Sequence, residues 1–282
     1  MNIDVYNFSA ETVFKITGRK EAAGILRQQL YEPESLKTDG FVHLSEKDQV
    51  AWVLQTFYPQ TDEYVVFAID KTRLGPNLKY DKIDGSGLPA NRVFPHLYGP
   101  FPTAAVTAIL EAADFLPLPD DTYVSTLIRN YQFKRLPAEG TFYHETYRSD
   151  VMYKGTASCG TAMIGLYSHA PLSFSCFHRL RYDEIWHFYG GDPLRLVLLF
   201  EDGSSKDVLL GADYTQGQLV QYTVPAGTWQ AGEVMRGGRY TLYGCTVIPG
   251  FVPEIFEPAD NFSLKKKYPD RIIDILRFSI GS

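Results

Sequence analysis

The stretch FHRLRYDEIWHFYGGDPLRL, from Phe177 to Leu196, decides how the chain is read. It places two histidines, an Asp-Glu pair and several aromatic side chains on what reads as one hairpin. If EIWHFY is extended from Glu184, then Glu184, Trp186 and Phe188 share one face and Ile185, His187 and Tyr189 share the other, because side chains alternate along a strand. On the preceding strand His178 and Leu180 share a face. A tight turn over 181–183 lets His178 and Glu184 face one interior. A small β-barrel that holds one ligand has such an interior, with polar groups set among aromatics.

The same character runs through the second half. From Thr141 onward short strands alternate with Gly, Pro and Asp turns, including FYHETYRS, TAMIGLYS, LRLVLLF, QLVQYTV and YTLYGCTVI. EDGSS (Glu201–Ser205) sets Asp-Gly between two apolar runs, a strong hairpin signal. Short strands at regular spacing suggest a sandwich or barrel. In YTVPAGTWQAG (Tyr222–Gly232) a strand ends at Pro225, turns through Gly227 and resumes at Trp229–Gln230.

The first half mixes patterns. EAAGILRQQLY (Glu21–Tyr31) has helical spacing. SEKDQVAWVLQTFY (Ser45–Tyr58) opens with Ser45 as N-cap and carries a stripe of Val50, Val53, Leu54 and Phe57. EYVVFAID (Glu63–Asp70) and AAVTAIL (Ala104–Leu110) read as strands. LPLPDD (Leu116–Asp121), with two prolines and no periodicity, is the seam. A helix over TYVSTLIRNYQF (Thr122–Phe133) follows it. The expected domains are therefore 1–117 and 118–282.

Composition narrows the function classes. Of 282 residues 45% are hydrophobic and 14% aromatic, with a formal net charge of −6. That balance favours a β-rich globular protein and gives nucleic-acid binding little electrostatic support. No apolar run approaches the ~18 residues of a membrane span, and the start does not read as a signal peptide. Cys159, Cys176 and Cys245 are odd in number and widely spaced, which argues against a disulfide framework. They read as buried, reduced thiols of a cytoplasmic protein.

The second-half phrases resemble the cupin superfamily. His178, Leu180, Glu184 and Gly190 or Gly191 fall near the places of its first motif. Pro225 and Gly227 match its second, and Gln230 stands where a third His would be. FYHETYRS, FHRLRYDEIWHFYGGDPL, VPAGTWQA and YGCTVIPGF together look like one cupin family of unassigned function, over about Thr122–Asp270. The resemblance implies an all-β jelly-roll barrel that pairs as a homodimer and binds a small-molecule ligand, a carbohydrate or keto acid. A divalent metal would be held by His178, Glu184 and Gln230. In metal-free relatives of the epimerase type, proton transfer takes the metal's place. His178 would then be the general base, Glu184 would orient it, and Glu145 or Tyr147 would supply the acid. Trp186, His187, Phe188, Tyr143, Trp229 and Gln230 are the candidate ligand contacts. His187 has a second reading, satisfying a hydrogen bond between sheets, and Tyr143, Glu145 and Tyr147 either line the mouth or face solvent. Three functions follow: an isomerase or epimerase, a metal-dependent cupin of oxygenase type, and a ligand-binding or sensing module without chemistry.

In the first half GFVHLS (Gly40–Ser45), with the helix and VVFAID strand after it, resembles the tRNA 2′-phosphotransferase branch of the ADP-ribosyltransferase-like superfamily. It is closer still to a small family of unassigned function over about Thr12–Pro117. That resemblance implies an α+β domain that binds NAD or a phosphate. His43 and Ser45 match the family's cleft phrase, and Lys15 its first strand. His96 in FPHLYGP is a further candidate, and Arg19, Arg73 and Arg92 are the available arginines. The expected fold class is an ADP-ribosyltransferase-like α+β domain followed by an all-β cupin barrel.

Overall fold

The computed structural model describes residues 8–58, 60–82, 93–117, 121–136, 139–155 and 157–279. Two compact units divide the chain after Pro117. Arg92 and half of the LPLPDD seam, residues 118–120, lie outside the described residues.

The N-terminal unit mixes helix and strand. Thr12–Gly18, Tyr64–Asp70 and Val106–Glu111 form an antiparallel sheet with Tyr64–Asp70 central. The central strand is buried from Val65 to Ile69, as its β-branched run requires. Helix Lys47–Phe57 buries Val50 and Leu54. Its N-cap is Glu46, not Ser45: Glu46 and Gln49 form a reciprocal capping box. Ser45 instead exchanges backbone hydrogen bonds with Phe14 at 2.8 Å. Phe57 of the expected stripe is 58% exposed. A smaller sheet joins Val42–His43, Val93–Leu97 and Leu78–Lys82.

Two sheets make up the C-terminal unit. The larger runs in the order Gln221–Val224, Glu184–Gly191, Tyr240–Val247, Thr161–His169, Phe142–Arg148, Lys134–Arg135, with Leu172–Ser173 beside Thr161–His169. The smaller runs Ser205–Leu210, Leu194–Leu199, Trp229–Val234, Ser175–Leu180, Phe256–Pro258. The sheets do not join into a closed barrel among the described residues. Glu201–Ser205 makes the expected hairpin turn, with Gly203 at φ +88° where a side chain would be strained.

Inward-facing side chains of both sheets share one core: Tyr167, Trp186, Tyr243 and Cys245 from the larger, Leu194, Leu196, Leu198, Val208 and Leu210 from the smaller. The Trp186 and Tyr243 rings stack at 4.9 Å and 16°. A Cβ on Gly165 would lie 2.3 Å from the Tyr243 ring, so glycine there lets the tyrosine cross its neighbouring strand. The larger sheet's outer face carries a second cluster of Val124, Phe133 and Leu166, contributed in part by helix Thr122–Asn130. Asp121 caps that helix through Tyr123 and Val124 N–H and grips Arg239.

One expectation about the deciding stretch is corrected. Ser175–Leu180 and Glu184–Gly191 are not a hairpin. They belong to different sheets, and 181–183 is the corner where the chain changes sheet. His178 and Glu184 still share an interior, but from opposite walls.

Candidate functional site

His178 pairs in register with Gln230 on the smaller sheet, and Glu184 and Trp186 extend from the larger one. All four are buried, at 1 to 8% exposure. His178 Nδ1 lies 2.9 Å from the Cys176 carbonyl, which can only accept, so Nδ1 carries the proton. Nε2 is then an acceptor and receives a Gln230 N–H at 3.3 Å. Gln230 gives its other N–H to Glu184 Oε2 at 2.6 Å. Trp186 Nε1–H points between Gln230 Oε1 (3.0 Å) and Glu184 Oε2 (3.1 Å). That indole fixes the amide: its oxygen faces Trp186 and its nitrogen faces His178 and Glu184. The imidazole stacks on Phe256 at 5.3 Å. Glu139, which carries no periodic signal in the sequence, brings a carboxylate 3.8 Å from Nδ1. Ser175 donates to Glu139 at 3.5 Å and accepts from Tyr167 at 2.6 Å.

Burial pushes the Glu184 carboxyl up from its ordinary range. The nearby His178 opposes this, and Glu139 adds to it. The folded state thus holds this proton more tightly than the unfolded chain does. The resulting stability is complete below the unfolded pKa of about 4.3 and is lost as pH rises through the folded value. Glu184→Gln removes the titration. Denaturation midpoints at pH 4, 5.5 and 7 should show a smaller loss of stability over this window than in wild type; parallel profiles would contradict the assignment.

The donor set does not fit a transition metal. Between His178 and Glu184 stands an amide N–H₂, which cannot ligate, and its oxygen is committed to Trp186. Leu180 packs with Val247 and Ile255. Among the described residues no group of three or more His, Cys, Asp or Glu is arranged to hold a metal.

Other expected site residues separate. A bulge opposite Met163 and Ala162 leaves Thr146 as the extra residue, so Tyr147 shifts off the face of Tyr143 and Glu145. Tyr147 is 57% exposed, and the exposed Glu145 pairs with Arg148 at 2.6 Å. Neither joins His178 as an acid. His187 is on the outer face, held by Thr246 at 3.2 Å and Gln221 at 3.1 Å, and burial pushes its imidazole down. Trp229 also faces outward, under the Arg179 guanidinium at 4.5 Å. Phe188 packs against the inner core, and Tyr143 is half-buried opposite Gly165. Cys176 and Cys245 are buried thiols outside any disulfide, while Cys159 is half-buried rather than buried.

The N-terminal unit brings its candidates together. Lys15, His43, Ser45 and His96 line one cleft of about 430 Å³ with Trp52, Phe57 and Phe94. Burial lowers the Lys15 ammonium to about 8, against the raising effect of Glu21. The helix that follows Ser45 offers an anion little, because Glu46 already accepts from its N-terminal amide. Arg19 is paired with Glu111, and Arg73 with Asp70 and the Ala104 carbonyl. With one lysine and no arginine among the described lining residues, the cleft does not fit the pyrophosphate of NAD.

Comparison with known proteins agrees with this division. Residues 125–259 match the family described as Cupin superfamily (DUF985), and residues 16–109 the family described as Protein of unknown function (DUF952). The uncharacterized protein YML079W of Saccharomyces cerevisiae is 27% identical over 166 residues, 52% of this chain and 82% of that protein. A hypothetical protein from Leishmania major is 30% identical, with a TM-score of 0.50 over 55% of this chain and 98% of its own. Protein SO0799 from Shewanella oneidensis is 26% identical, with a TM-score of 0.52 over 58% of this chain and all of its own. The chain thus joins a segment that matches the DUF952 family, residues 16–109, to one that matches the cupin superfamily family DUF985, residues 125–259.

Proposed function

We propose that the cupin unit binds a small carbohydrate or keto acid between its sheets and moves a proton next to the ligand's carbonyl, as an isomerase or epimerase does. The observation that carries this reading is the orientation of His178. Its Nδ1–H is anchored on a backbone carbonyl, and the basic Nε2 faces the interior. Of the hydrogen bonds that link His178, Gln230, Glu184 and Trp186, the Gln230–His178 contact at 3.3 Å is the longest, so a ligand can exchange with that amide at least cost. Glu184 keeps its own hydrogen bond from Gln230 when a ligand takes the amide's place at His178. Access is supported by inward positions that are only half-buried, Tyr143 and Met163. The test is deuterium uptake from D₂O at the carbon beside the carbonyl, for a panel of aldoses, ketoses and 2-keto acids, in wild type and a His178 variant.

The mutual satisfaction of His178, Gln230, Glu184 and Trp186 favours a second reading, a binding module without chemistry. In that case the same panel gives heat in calorimetry and no deuterium uptake.

Homodimerisation through the cupin unit is part of the proposal. Strand Phe142–Arg148 pairs with Lys134–Arg135 only at Phe142 and Tyr143, leaving an open edge among the described residues. Tyr147, Val151, Met152 and Ile248 are exposed. Sedimentation should give a dimer that Val151→Lys weakens; a wild-type monomer at all concentrations would remove it. For the N-terminal unit, the ADP-ribosyltransferase-like architecture is supported by the convergence of Lys15, His43 and Ser45 on one cleft.

A further inference from the structure

We infer that the N-terminal cleft is a second ligand site, for an aromatic hydroxy acid, in which His96 accepts the ligand's hydroxyl and Lys15 pairs with its carboxylate. This stands apart from the proton-transfer reading of the cupin unit. His96 is 3% exposed. Its Nδ1 lies 3.1 Å from Asp81 Oδ2, and Asp81 also accepts from Tyr98 at 2.8 Å. The bond to Asp81 places the ring proton on Nδ1, so Nε2 presents a lone pair. That Nε2 is buried with no hydrogen-bond partner among the described residues. A buried acceptor left unmade costs free energy, and the same geometry is productive once a donor arrives. The ring is held by stacking on Phe41 at 3.9 Å, with His43 edge-on at 5.6 Å.

The rest of the cleft selects the partner of that lone pair. Lys15 is the single fixed cation among the described lining residues, and it donates to the Ile16 carbonyl at 3.3 Å. One half-buried ammonium suits one carboxylate better than a multiply charged phosphate chain. Trp52, Phe57 and Phe94 supply flat apolar walls, which suit an aromatic body.

The test uses the full chain and three kinds of probe. Calorimetry with 4-hydroxybenzoate and 4-hydroxyphenylacetate should show binding, weakened roughly tenfold or more for benzoate, which lacks the hydroxyl, and in Lys15→Gln. In wild type the His96 Nε2 nitrogen resonance should move with 4-hydroxybenzoate and stay in place with benzoate. That readout does not depend on a His96 variant folding. Absence of binding by both hydroxy acids, or binding that leaves the nitrogen unmoved and is unaffected in Lys15→Gln, overturns the inference. So does displacement of either acid's place by NAD alone, which would make the cleft a nucleotide site.

Discussion

His178→Gln should lower deuterium uptake beside the ligand's carbonyl by at least ~100-fold, the lower end of what a positioned acid–base group contributes. Glutamine keeps polar atoms in this position and is able to preserve the contact with Gln230. It lacks a basic nitrogen, so binding survives while proton abstraction does not. The expected pattern is therefore a loss in turnover with ligand affinity changed much less. Far-UV circular dichroism checks that the variant folds. Matched uptake in both proteins would show that Nε2 is not the base, whatever the ligand.

Gln230→Leu should destabilise the cupin unit by about 2–4 kcal/mol, because it leaves several buried polar groups without a partner at roughly 1–3 kcal/mol each. The side chains are close in volume, so the effect is not a cavity. One substitution removes the donor to His178, the donor to Glu184 and an acceptor of Trp186. Glu184 keeps the indole N–H and loses its 2.6 Å partner in surroundings that already disfavour its charge. The melting transition should fall by roughly 10 °C for a unit of this size. A shift of only a degree or two would mean that water replaces the amide readily, and the cluster would then be a wet opening rather than a sealed floor.

Much of the local pattern was legible in the residues. Period-two alternation put Glu184, Trp186 and Phe188 on one face and His187 on the other; the first face turns inward, whereas His187, expected among the ligand contacts, lies on the outer face. The helical stripe located Lys47–Phe57, and Asp-Gly located the hairpin. Both follow from backbone geometry repeated within a few residues. The motif phrases also pointed to a cupin domain and to a separate N-terminal family.

What failed was long-range. Three residues between two strands looked like a hairpin turn, yet they turn the corner between sheets. A bulge of one residue moved Tyr147 off the expected face. Gln230, read as standing where a third His would hold a metal, instead bridges His178 and Glu184 under an indole's control. Glu139 and the Asp81–His96 contact gave no local sign. By itself, then, the sequence determined which side chains share a face, because alternation is set by the neighbouring peptide units. Only the tertiary structure decided which donor meets which acceptor, because a hydrogen bond is fixed within a few tenths of an ångström by strands brought together from distant parts of the chain.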